Sequence, residues 1–126
     1  MLKRILGSSV VLALCAMPLA AQSMSKASAG NEVTITGTVV DVNCFSTMGA
    51  TGAGHKACGQ ACAKAGVPLA ILGSDGTLYM PVSSKPGDPQ NGKLIDMTEG
   101  KVKVTGTHRE VNGLHTIEIK TVAAAT

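Results

Sequence analysis

Residues 33–44 (VTITGTVVDVNC) alternate apolar and polar positions and are rich in β-branched side chains, the period-2 signature of a strand with one buried face. Gly37 interrupts the alternation: Val33 and Ile35 share one face before it, and Val40, Val42 and Cys44 share a face after it. A bulge or tight bend at Gly37 would reconcile the two registers and turn the second set toward the core. Residues 45–54 (FSTMGATGAG) are Gly-rich and predict a loop, whereas residues 55–65 (HKACGQACAKA) are Ala-rich and predict a short helix despite Gly59. Gly66 suits the left-handed position that ends such a helix, and Pro68 prevents its continuation.

Strand patterning resumes over residues 69–72 and 77–82, joined through Gly73-Ser74-Asp75-Gly76, where Asp-Gly signals a hairpin. Residues 83–92 predict a loop, since Pro86 and Pro89 block regular pairing. Residues 93–99 (KLIDMTE) predict a helical turn that buries Leu94 and Met97 and stops at Gly100. Residues 101–109 and 114–122 predict two last strands around Asn112-Gly113, a type I′ turn. Five strands, with a helical segment between the third and fourth, is the order of an OB-fold, a partly open Greek-key barrel. The expected fold is therefore mainly β: a five-stranded OB-fold-like barrel with a short Cys-bearing helix inserted between strands 1 and 2. A β-sandwich fragment is the alternative, and roughly ninety residues suit the barrel better.

Residues 1–21 (MLKRILGSSVVLALCAMPLAA) place two cations before a short apolar run and small residues, the pattern of a cleaved secretory signal peptide. Residues 22–31 then form a polar leader, residues 32–122 the domain and residues 123–126 a tail. Cys15 raises acylation as a lipoprotein, but Leu14 stands before it where a small residue is required. The apolar run is shorter than the ~20 residues of a spanning helix, and no other segment is apolar enough for one. The expected compartment is periplasmic or extracellular and oxidising.

Composition narrows the function. One Phe, one Tyr and no Trp leave almost nothing to stack on nucleobases, and the core must come from aliphatic residues. The net charge of +3 includes Lys3 and Arg4, and without them nine cations face eight carboxylates. A nucleic-acid partner is therefore not expected. The glycines near Thr51 match no phosphate loop and no serine sits in a nucleophile elbow, so the chain reads as non-enzymatic. Met48, Met80 and Met97 read as fillers of core or loop.

The segments GTVVDVNCF, GAGHKACGQACAKAGVP, DGTLYM and KVKVTGT together resemble a family of small secreted bacterial proteins with an OB-like domain. Its pattern of D-x-x-C-Y/F, then H-x-x-C-A/G-x-x-C, then G-x-P is matched by Asp41, Cys44, Phe45, His55, Cys58, Cys62, Gly66 and Pro68. The resemblance spans residues 33–122. It implies the barrel and the secreted compartment, and it assigns no reaction.

The chemistry concentrates in one cluster. His55, Cys58 and Cys62 fall within an arc of about 60° on one helical face. Cys44, at the end of the first strand, can meet them, and three sulfurs and one imidazole then share a site. The plainest reading is a structural disulfide from Cys44 to Cys58 or Cys62, stabilising by about 3 kcal/mol and leaving one cysteine over. The odd thiol favours a metal, copper ahead of zinc, on Cys44, His55, Cys58 and Cys62. A thiol-redox role, with Cys58 or Cys62 reactive and Cys44 resolving, is the third reading, although the spacing is not C-x-x-C. The carboxylates are scattered, with only Asp41 near the cluster. A second, weaker constellation lies on the last hairpin, where Glu110 should face His115 and His108 should face Ile117. His108, Glu110 and His115 would then cluster at a barrel end and could supplement the cysteine site. A solvated Glu–His pair is the simpler reading there.

Overall fold

The computed structural model describes residues 29–126, so the proposed signal peptide and Cys15 lie outside the described residues. Strands β1 (Asn31–Asp41), β2 (Leu69–Gly73), β3 (Leu78–Pro81), β4 (Lys101–Val111) and β5 (Leu114–Ala124) close a barrel in the order β1-β2-β3-β5-β4. All pairings are antiparallel except β3 with β5, where Met80 faces Thr116 and Pro81 faces Ile117. This is the expected mainly β, OB-fold-like barrel, and two short helices, α1 (Val42–Met48) and α2 (Lys56–Lys64), fill the connection from β1 to β2. The residues given to a tail continue β5, with Ala123 opposite Lys103 and Ala124 opposite Val102.

The aliphatic core is Val39, Leu69, Ile71, Leu94, Val102, Val104, Ile117 and Ile119, with Ala63 of α2 closing one end. Alternation in β1 runs unbroken through Gly37: Val33 and Ile35 share the inward side with Val39, and Val40 is buried outside that cluster. The register break predicted at Gly37 is absent from the β1 ladders. Gly37 instead pairs with Gly73 of β2 and Val102 of β4 at once, and a Cβ there would lie 2.4 Å from the Leu72 carbonyl oxygen. The bulge falls between Thr105 and Gly106, in the β4–β5 ladder.

The helical turn before β4 resolves into two 3-10 turns, Gln90–Lys93 and Ile95–Met97, with Leu94 fully buried between them. Asn91 holds this segment to both neighbours. Its Oδ1 accepts the Leu69 N–H at 3.0 Å, and its Nδ2 donates to the Ala63 and Val67 carbonyls at 3.1 and 2.8 Å. Asn91→Ala removes the side-chain partner of the Leu69 N–H and of the Val67 carbonyl, while the Ala63 carbonyl keeps the Gly66 N–H, so urea unfolding should show a loss of about 1–3 kcal/mol.

Candidate metal centre

Asp41 ends β1 and starts α1. Its Oδ1 accepts the Cys44 N–H at 3.0 Å, the bond of a helix N-cap, and Gly49 closes α1 in the left-handed region at φ 65°. Cys44 therefore lies in the first turn of α1 and not at the end of the strand. It is buried all the same, because this turn folds over the barrel end. Met48, at the other end of α1, is 70% exposed and fills no core.

The chain returns through a 3-10 turn, Ala53–His55, into α2, which carries Cys58 exposed and Cys62 half-buried. Gly59 lets α2 approach the barrel closely. A Cβ there would stand 2.8 Å from Thr98 Cγ2 and 3.7 Å from both Asp41 Cβ and His55 Nδ1. Gln60 adds a hydrogen bond from its Nε2 to the Ile95 carbonyl at 3.0 Å.

Sequence patterning misses one residue of the site. Glu99, its side chain fully buried, places Oε1 2.9 Å from His55 Nδ1, and its Oε2 accepts the Gly52 N–H at 2.8 Å. Its backbone is held at φ 61°, a conformation costing a non-glycine residue about 1–3 kcal/mol, while its N–H bonds the Val39 carbonyl at 2.8 Å. An Nδ1–H donated to the Glu99 carboxylate leaves Nε2 as the ring nitrogen that can face a metal. That Nε2 is buried and has no hydrogen bond among the described residues.

Two overlapping groups of ligand atoms result, each with all its atoms within 4.8 Å of one another: Cys44, His55 and Cys58, and Asp41, Cys44 and Cys62. Tetrahedral thiolates on zinc, at 2.3 Å each, stand about 3.8 Å apart, so the sulfur pairs need to close by at most about 1 Å, and the nitrogen or oxygen partner by slightly more. The four residues expected as one set are thus divided, with Cys62 paired to Asp41 and Cys44. Cys44, Cys58 and Cys62 are all free, so the disulfide expected as the plainest reading is not formed.

The electrostatics are those of protonated thiols around a carboxylate. Burial, then the charges of Asp41 and Cys58, push the Cys44 thiol up. The hydrogen bond to Asp41, followed by burial, pushes Cys62 up to about 12. For Asp41, burial opposes ionisation. Hydrogen bonds from the Cys44 N–H, the Cys62 thiol and the Asn43 N–H, with His55 nearby, outweigh it and hold the carboxyl below its ordinary 3.8. Its Oδ2 makes no hydrogen bond of ordinary geometry among the described residues, the thiol being a weak donor. A lowered folded value means that Asp41 stabilises fully above 3.8 and loses that contribution as pH falls through the folded value. The melting temperature should fall below about pH 4, and less steeply in Asp41→Asn, which keeps a capping oxygen.

The last hairpin has the expected register, Glu110 opposite His115 and His108 opposite Ile117, with Asn112 and Gly113 both at positive φ. His108 Nε2 lies 3.1 Å from His115 Nδ1, with the rings 7° from parallel and Tyr79 edge-on to both. Glu110 is exposed and forms no ion pair with His115 among the described residues; Tyr79 accompanies the histidines instead. His108 pairs with Asn31, at the opposite end of β1 from Asp41, about 30 Å along the strand. This cluster cannot supplement the cysteine site. No helix among the described residues is long and apolar enough to cross a membrane. No protein family, curated protein or solved structure matches this chain.

Proposed function

We propose that this protein is a non-catalytic, secreted or periplasmic binding protein for a thiophilic d10 ion, Cu(I) or Zn²⁺, held by Cys44, Cys58 and His55 Nε2. The observation that carries this reading is the tethered imidazole. Metal-ligating histidines are oriented by a carboxylate on the other ring nitrogen, and here Glu99 holds Nδ1 while Nε2 is buried without a hydrogen bond. A fully buried carboxylate on a strained backbone is a costly device for an ordinary surface histidine. Two thiolates and an imidazole suit either ion and leave a position open on the exposed Cys58 side, where an ion can enter or leave. The sequence of residues 1–21 supports the compartment. A thiol-redox role has less support, because Cys44 and Cys62 are pushed up, opposite to the shift of an activated thiol.

The test is protein recovered anaerobically from its native compartment, with metal content and alkylatable thiols counted by intact mass. Bound copper or zinc with Cys44 and Cys58 protected from alkylation is expected. A Cys44 disulfide, with no metal taken up after reduction, would overturn the reading. Glu99→Gln should weaken metal binding about 10–100-fold in chelator competition while the far-UV circular dichroism is unchanged.

A further inference from the structure

The two ligand groups meet at a single atom. Cys44 Sγ belongs to the group with His55 and Cys58 and equally to the group with Asp41 and Cys62. A thiolate carries several lone pairs and can bind two cations at once. We propose that the Cys44 thiolate bridges two divalent ions, an outer one on His55 and Cys58 and an inner one on Asp41 and Cys62. This deepens the metal-binding reading and rests on it.

Three observations carry the proposal. Each group contains a residue with a buried polar atom that has no hydrogen bond among the described residues, Nε2 of His55 in the outer one and Oδ2 of Asp41 in the inner one. A single outer ion accounts for the first and leaves the buried Asp41 carboxylate to the Cys62 thiol, a weak donor. The five ligand atoms also form two overlapping groups and not one, so a single ion satisfies either triad and not both.

Charge is the third. Three thiolates and the Asp41 carboxylate bring four negative charges, and two divalent ions balance them. One divalent ion on the outer triad, with Cys62 still a thiol, would leave the charge of the fully buried Asp41 uncompensated. The Glu99 carboxylate is already engaged by His55 and Gly52. Ligand chemistry then identifies the ion. Zn²⁺ accepts sulfur, nitrogen and carboxylate oxygen, so it fits both triads, whereas the carboxylate of the inner triad is a poor donor for Cu(I). Each thiol that becomes a ligand releases its proton to solvent.

Anaerobic titration of the reduced full-length protein with Co²⁺, a spectroscopic stand-in for Zn²⁺, reads stoichiometry and bridging together. Two equivalents should produce thiolate-to-cobalt charge-transfer bands, and the electron paramagnetic resonance of the first ion should diminish as the second couples to it through sulfur. Cys62→Ser should stop at one uncoupled equivalent, as should Cys58→Ser, in which the inner triad remains. Asp41→Asn should weaken the second equivalent alone. Cys62 is only half-buried on α2, so its serine variant keeps the test valid if the Asp41 variant unfolds. Saturation of the wild type at one equivalent, unchanged by Cys62→Ser, would overturn the two-ion site and leave the underlying reading standing. Two equivalents without coupling would overturn the bridge. Failure to bind any cobalt would overturn the metal reading itself.

Discussion

Cys44→Ser should abolish tight metal binding, the largest functional loss expected of any single substitution in this protein. Its sulfur is common to both ligand groups, so no triad survives its removal. The serine hydroxyl is smaller and stays protonated, and it cannot take the place of a thiolate toward a soft ion. The fold should persist. The bond that starts α1 comes from the backbone N–H of residue 44 to Asp41 Oδ1, and serine retains it. Affinity should therefore fall by more than about 100-fold, beyond the cost of losing an outer partner such as Glu99, with little change in melting temperature. The pH dependence supplies a second readout. Cys44 and Cys62 are pushed up and remain thiols near neutrality, so metal must displace their protons. Wild-type affinity should rise with pH, by about one decade per pH unit for each proton displaced. Chelator competition across the neutral range measures both the loss and the slope.

Gly106→Ala should produce the largest loss of stability. A Cβ on Gly106 would lie 2.3 Å from the Glu118 carbonyl oxygen and 3.0 Å from its carbon, with Ile117 Cγ1 at 3.2 Å. The first two obstacles are backbone atoms of the partner strand, and no rotamer change relieves them. The collision falls where the β4–β5 register shifts, in the longest contact of the barrel. Overpacking of this kind costs about 1–3 kcal/mol when side chains can yield, and here the ladder itself must open, so about 3 kcal/mol or more is expected. That is a large part of the roughly 5–15 kcal/mol of a typical domain. The urea midpoint should fall accordingly. Gly92→Ala is the control: its Cβ would meet open space, and its effect should stay within about 0.5 kcal/mol.

The barrel was legible because its signals are local. Alternation of β-branched residues, the Asp75-Gly76 and Asn112-Gly113 turns and the Gly66 exit from α2 each rest on a few adjacent residues, and the strands lie where those residues put them. The end of β1 was harder to read. Val42 and Cys44 extend the alternation past the true boundary, and only the capping carboxylate of Asp41, three residues before Cys44, announces a helix. The Cys/His cluster was legible as a set of residue types, since helical spacing brings His55, Cys58 and Cys62 to one face. Its division into two groups was not. That depends on how Gly59 seats α2 against Thr98 and Asp41, which is tertiary packing. Glu99 left no local trace. It stands 44 residues from His55, and its left-handed backbone is imposed by the 98–100 segment laid along Val39.

Everything functional in this molecule turns on whether these thiols and His55 ligate a metal. X-ray absorption at the zinc or copper edge of the loaded protein addresses it most directly. For zinc, sulfur scatterers at about 2.3 Å together with an imidazole nitrogen at about 2.0–2.1 Å are expected, the nitrogen lost in His55→Ala. A shell of oxygen and nitrogen alone, or one that includes sulfur but is unchanged by His55→Ala, would contradict that ligation.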